Sequence, residues 1–238
     1  MSQHNFLKNI VLAIFLASFS LSCETKVSER TESGKAVGQE QTPPQVSYGD
    51  LIIKEQSDYL MIPVNANGKN QEQKFSLDSS RYDKRDYTLL YNLIFYHKQT
   101  GESHILLDKK AIINSYDLLE AKITDKPVTR AWFYQIIDQD TNKDKNLNQE
   151  DAVIGYISDL SGKNLIQVTP NNTKIINWVV LPSQKAIFIK IIKDSDNDNK
   201  FTGADKTNFV RVSLEKPSIG TEIISEQIEQ IVKSYIIK

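Results

Sequence analysis

A twelve-residue stretch occurs twice in this 238-residue chain, DTNKDKNLNQED at 140–151 and DSDNDNKFTGAD at 194–205, each time between two apolar, β-branched runs. Both copies put oxygen-bearing side chains at positions 1, 3, 5 and 12 and an apolar residue at position 8. That spacing lets a short loop wrap a hard divalent cation, because alternate side chains converge while the carbonyl at position 7 adds a further oxygen. In the first copy Asp140, Asn142, Asp144 and Asp151 offer side-chain oxygens, Asn146 its carbonyl and Asn148 a water-mediated contact. In the second the same roles fall to Asp194, Asp196, Asp198 and Asp205, to the Lys200 carbonyl and to Thr202. The expected cofactor is calcium at two sites, the second stronger because it holds four acids against three.

These loops resemble those of the EF-hand family and depart from them in three ways. Position 6, where the family has a glycine with positive φ, is Lys145 in one loop and Asn199 in the other. Asn tolerates that backbone and Lys does so poorly. Position 12 is Asp rather than Glu, one methylene shorter. The flanks read as strands, with IKII leading into the second loop and FVRV leaving it, so calcium is expected to staple a strand-to-strand connection rather than to open a helix pair. Asp- and Asn-rich turns also form without metal. The recurrence of the full spacing at equivalent places favours the metal.

Around the loops lies a repeat. Runs of four to nine residues, rich in Ile, Val, Tyr, Phe and Trp, are separated by Gly, Asn, Asp and Lys turns, which argues strand over helix. The expected strands are 59–64, 89–97, 104–107, 131–137, 152–157, 164–168, 175–181, 186–192, 208–212 and 221–224. TRAWFYQIID, a loop, then AVIGYISDLSGKNLIQVT is echoed by KAIFIKIIKD, a loop, then NFVRVSLEKPSIGTEII. YLMIPVN, a polar insertion, then NLIFYHKQTGESHILLD reads as an earlier, diverged copy. The segment YISDLSGKNLIQVTP at 156–170, followed by Trp178, Pro182, Ser183, Lys185 and the apolar run 186–189, resembles the repeat of TolB-type β-propellers, with Gln184 where that family has a glycine. The resemblance implies four-stranded antiparallel units. There is room for about three, which implies a mainly β fold, an open or partial propeller-like structure or a sandwich of the same hairpins, rather than a closed ring.

The two ends carry different signals. Residues 1–22 read as an export signal, with Lys8 ahead of an apolar run at 10–19. Cys23, the single cysteine, follows FSLS and resembles the lipid-modified cysteine of bacterial lipoproteins, which implies a cell-envelope protein held to a membrane by its lipid. Residues 23–49 are polar, contain Pro43 and Pro44, and read as a flexible tether to a β-repeat domain at 50–238. At the other end Ile228, Ile231, Val232, Tyr235 and Ile236 share one helical face within 225–238, with Ser225 to cap it, and the helix is expected to pack on the β core.

A net charge of −1 with no basic cluster gives no reason to expect nucleic acid. Nucleophile elbows, zinc-protease helices and phosphate loops are missing from the sequence, so the chain reads as a non-enzymatic binding or structural module for a protein or glycan partner. The alternative is an envelope hydrolase acting on glycans or peptides through acids that only the fold brings together. His97 and His104 flank a turn and read as a surface pair; Trp132 and Trp178 read as core.

Overall fold

The apolar runs set the chain into three antiparallel sheets, of which the second and third are meanders in chain order. The computed structural model describes residues 45–66 and 89–236. The expected export signal, Cys23, most of the expected tether, residues 67–88 and residues 237–238 lie outside the described residues. The first sheet comprises β1 (Val46–Tyr48), β2 (Ile52–Ile53), β3 (Tyr59–Ala66), β4 (Leu89–His97) and β5 (Ser103–Ile105), in the order β1-β3-β4-β5 with β2 also paired to β3. The middle sheet is β6 (Ile112–Ala121), β7 (Thr129–Ile137), β8 (Ile154–Ser158) and β9 (Ile166–Gln167). The third is β10 (Thr173–Leu181), β11 (Ala186–Lys193), β12 (Lys206–Ser213) and β13 (Thr221–Glu222).

The middle sheet is covered on both faces. Trp132, Tyr134 and Ile136 pack with Met61, Leu93 and Phe95 of the first sheet. The alternate residues Ala131 and Phe133, with Ile157, pack against Ile187, Ile189, Ile191, Val210 and Val212 of the third. Burial on both sides is why β7 reads AWFY without polar alternation. Trp178, half-buried, meets Phe133 edge to face at 5.5 Å. Both tryptophans are therefore packing residues. The turn after β8 seals the first interface: Gly162 has φ +79, and a Cβ there would overlap the Phe95 ring.

Three strands lie outside those expected from sequence. β6 carries a bulge between Ile113 and Ser115 that shifts its inside–outside alternation by one, so no single period runs through IINSYDLLEA. β1 and β2 are too short to show a period, and β1 pairs Val46 with Ala66 and Tyr48 with Val64, which starts the fold inside the stretch expected as tether. The first sheet thus has five strands rather than four.

An asparagine closes two of the sheets in the same way, half-buried in the first and buried in the third. Asn92, on β4, donates from Nδ2 to the Leu107 carbonyl at 2.8 Å and accepts from the Leu107 N–H at 3.0 Å. Asn208, on β12, donates to the Ile224 carbonyl at 2.9 Å and accepts from the Ile224 N–H at 3.0 Å. Each side-chain amide pairs with a returning peptide group as a further strand would, ending the sheet where its last strand stops.

The C-terminal helix α1 (Glu226–Ile236) is capped by Ser225 Oγ, which accepts from the Ile228 N–H at 3.3 Å. It does not pack on the core as expected. None of its residues is buried, and Ile228, Ile231 and Val232 are about half exposed. Glu229 ties it to Lys206 of β12. The inner face of the third sheet is already filled by the middle sheet, and a 3.6-residue stripe specifies which side of a helix can be buried but not what it is buried against.

Candidate metal centre

The two loops occupy equivalent places, 140–151 joining β7 to β8 and 194–205 joining β11 to β12, the second and third strands of their sheets. Their backbones match residue by residue. In both, positions 4 and 6 are left-handed: φ is 63° at Lys143 and 72° at Lys145, 61° at Asn197 and 63° at Asn199. Lys145 thus adopts the conformation for which glycine is the unstrained choice. The Asp144 N–H donates to Asp140 Oδ1 at 3.1 Å and to Asn142 Oδ1 at 3.0 Å, and the Lys145 N–H to Asp140 Oδ2 at 2.8 Å. The second loop repeats this: Asp198 N–H to Asp194 Oδ1 at 3.1 Å and Asp196 Oδ1 at 3.2 Å, Asn199 N–H to Asp194 Oδ2 at 3.2 Å. At position 7, Asn146 and Lys200 donate their N–H groups to Asp144 and Asp198 at 2.7 and 2.8 Å.

Position 12 closes each loop from inside. Asp151 is fully buried and Asp205 nearly so. Asp151 Oδ1 accepts from the Thr141 N–H at 2.8 Å and Oδ2 from the Asn148 N–H at 2.9 Å. Asp205 accepts from the Ser195 and Thr202 N–H groups, both at 2.9 Å, and these amides hold its carboxyl below the usual carboxylate range. The spacing marks both residues as metal ligands; the structure shows them tying the start of each loop to its end. It also shows a residue pair that the spacing does not single out. The hydroxyls of Thr141 and Ser195, at position 2, accept from the first N–H after each loop, Ala152 at 3.0 Å and Lys206 at 3.2 Å. The signal was a hydroxyl at position 2 of both copies.

What the second loop brings together is Asp194, Asp196 and Asp198, which can each offer one carboxylate oxygen with all three oxygens within 4.8 Å of one another. Oxygens that close can be bridged by a single hard cation, which takes its ligands from carboxylate oxygens. Three like charges so close repel, and a divalent cation between them removes that cost. In the first loop the middle oxygen belongs to the neutral Asn142, and Asn148, buried, spends its amide on Asp144 Oδ2 at 3.1 Å. Among the described residues no other group of three His, Cys, Asp or Glu side chains converges in this way.

Comparison with protein families, with curated protein sequences and with solved structures found no match. The chemistry is therefore read from the geometry alone.

The loops are neighbours. Asn172 and Lys174, at the head of β10, stand between them: the Asp194 N–H donates to the Asn172 carbonyl at 3.2 Å, while Lys174 Nζ donates to the Gln149 carbonyl. Lys174 also bridges to Val153, just past the first loop. Burial pulls the Lys174 ammonium below the usual lysine range, and Asp151 and Glu150 beside it act in the opposite direction. On the far side of the first loop, Asp138 accepts from Tyr156 Oη at 2.7 Å and pairs with Lys109.

The two histidines do not form a site together. His97 Nδ1 accepts from the turn amides of Gln99 and Thr100, His104 Nε2 bonds the Ser161 carbonyl at 2.9 Å, and both rings pack edge-on to Tyr59. No helix among the described residues is long and apolar enough to cross a membrane.

Proposed function

We propose that the chain is a calcium-binding, non-enzymatic module of the bacterial cell envelope, lipid-anchored at Cys23, whose three sheets form an open, partial propeller. The observation that carries the reading is the convergence of Asp194, Asp196 and Asp198 in a loop whose backbone is matched by the loop at 140–151. Calcium takes oxygen ligands from flexible loops, and here it would lock the connection between the second and third strands of two consecutive sheets. A staple of that kind stiffens a surface that a protein or glycan partner can grip.

Thermal unfolding with calcium and with chelator tests this. At 100 times Kd a bound ion adds about 2.7 kcal/mol per site. Asp194→Ala should abolish most of the second site's share, and magnesium at the same concentration should do much less than calcium. No shift at millimolar calcium would sink the reading. Membrane fractionation of a Cys23→Ser variant addresses the anchor, which is expected to move the protein to the soluble fraction.

A further inference from the structure

Among the described residues, no further layer covers two faces of the three-sheet stack, the outer face of the first sheet and the outer face of the third. On the first sheet the register places Ile62 against Ile94 and Ile94 against Ile105 on the side opposite the buried Met61–Phe95 pair, with Ile53, Tyr96 and Tyr48 in the same layer. Tyr48, Ile53 and Ile105 are more than half exposed. None of the five strands of this sheet contains an Asp, Glu, Lys or Arg. On the third sheet Val179, Leu181, Phe188 and Phe209 face outward together with Lys190 and Arg211, opposite the buried Ile189–Val210 pair.

We propose that these faces meet between two copies of the chain, the third sheet of one against the first sheet of the next. Two features favour this pairing. The layers inside the chain already join in this way, apolar sheet face on apolar sheet face, and the two open faces are the ends of that series. The faces are also complementary: Lys190 and Arg211 would repel a second third-sheet face, whereas the uncharged first sheet offers the rings of Tyr48 and Tyr96 to cations. Four strands about 4.8 Å apart and some six residues long present roughly 400 Å² per face, or on the order of 800 Å² per contact. That is below the size of a permanent interface and within that of a transient one, so association belongs in the micromolar range or weaker. An uncharged patch of this area is already at the size that marks an interaction surface.

Sedimentation velocity of the full chain between 1 and 100 µM, in chelator so that metal plays no part, tests the pairing. The mass should rise above that of the monomer as concentration increases. Ile105→Asp and Val179→Asp, both at exposed positions on edge strands, should each weaken association at least tenfold with an unchanged unfolding midpoint. Mixing the two variants should restore a heterodimer, because one intact contact remains between them. A wild type that stays monomeric at 100 µM would overturn the proposal, as would association that both variants retain. If Ile105→Asp alone abolishes association, the first-sheet face pairs with itself and the proposal fails. If removal of residues 225–238 abolishes it while Val179→Asp does not, the occupant is α1 and the proposal fails equally.

Discussion

Lys145 is the residue at which local preference and required geometry disagree most openly. It holds φ 72° in a loop whose partner uses Asn199 for the same bend. A left-handed conformation costs a residue with a Cβ about 1–2 kcal/mol, while glycine gives back about 0.5–1 kcal/mol in chain entropy. Lys145→Gly should therefore stabilise the metal-free protein by about 0.5–1 kcal/mol in urea unfolding, and the matching Asn199→Gly by less. That the two loops are equivalent was legible at this scale, because the same oxygen side chains recur at alternate positions. The inward turn of Asp151 and Asp205 was not, since a carboxylate at position 12 reads alike whether it meets an ion or the loop's own amides.

Among elements, the strands that bury one side and hold an unbroken period were readable to within a few residues, as at β4, where 89–97 was expected and Leu89–His97 is found. β6 was hidden by its bulge and β1 by its length. The asparagine clamps were hidden differently: Asn92 and Leu107, like Asn208 and Ile224, are far apart in sequence, and nothing local marks the pairing. Asn208→Ala strips partners from both polar groups of Ile224 and from Glu222, to which Asn208 Nδ2 also donates at 2.7 Å. A loss of about 2–3 kcal/mol is expected. Hydrogen exchange should show lost protection concentrated in β13 and the first turn of α1, leaving the middle sheet unchanged. If the loss were spread evenly over the three sheets, the clamp would not be a local device.

At the scale of the whole molecule, the repeat was legible and the layering was not. Periodicity within a strand tells which side is buried, but AWFY, apolar on both sides, announces only that two neighbours exist and not which sheets they are. The joint at Asn172–Lys174 is likewise visible only when the third sheet is laid beside the first loop. The short stretch Asn172–Lys174, where the chain enters β10, receives the Asp194 amide from one side and gives the Lys174 ammonium to the other. It works as the shared abutment of two arches, and an abutment that settles under one arch loads the other. On the proposed reading that both loops take calcium, the two sites should therefore not be independent: the calcium-dependent stabilisation lost in Asp140→Ala and in Asp194→Ala should fail to sum to that lost in the double variant, by about 0.5 kcal/mol or more. Breaking the abutment with Lys174→Ala should bring the three values back to additivity in the same unfolding measurements.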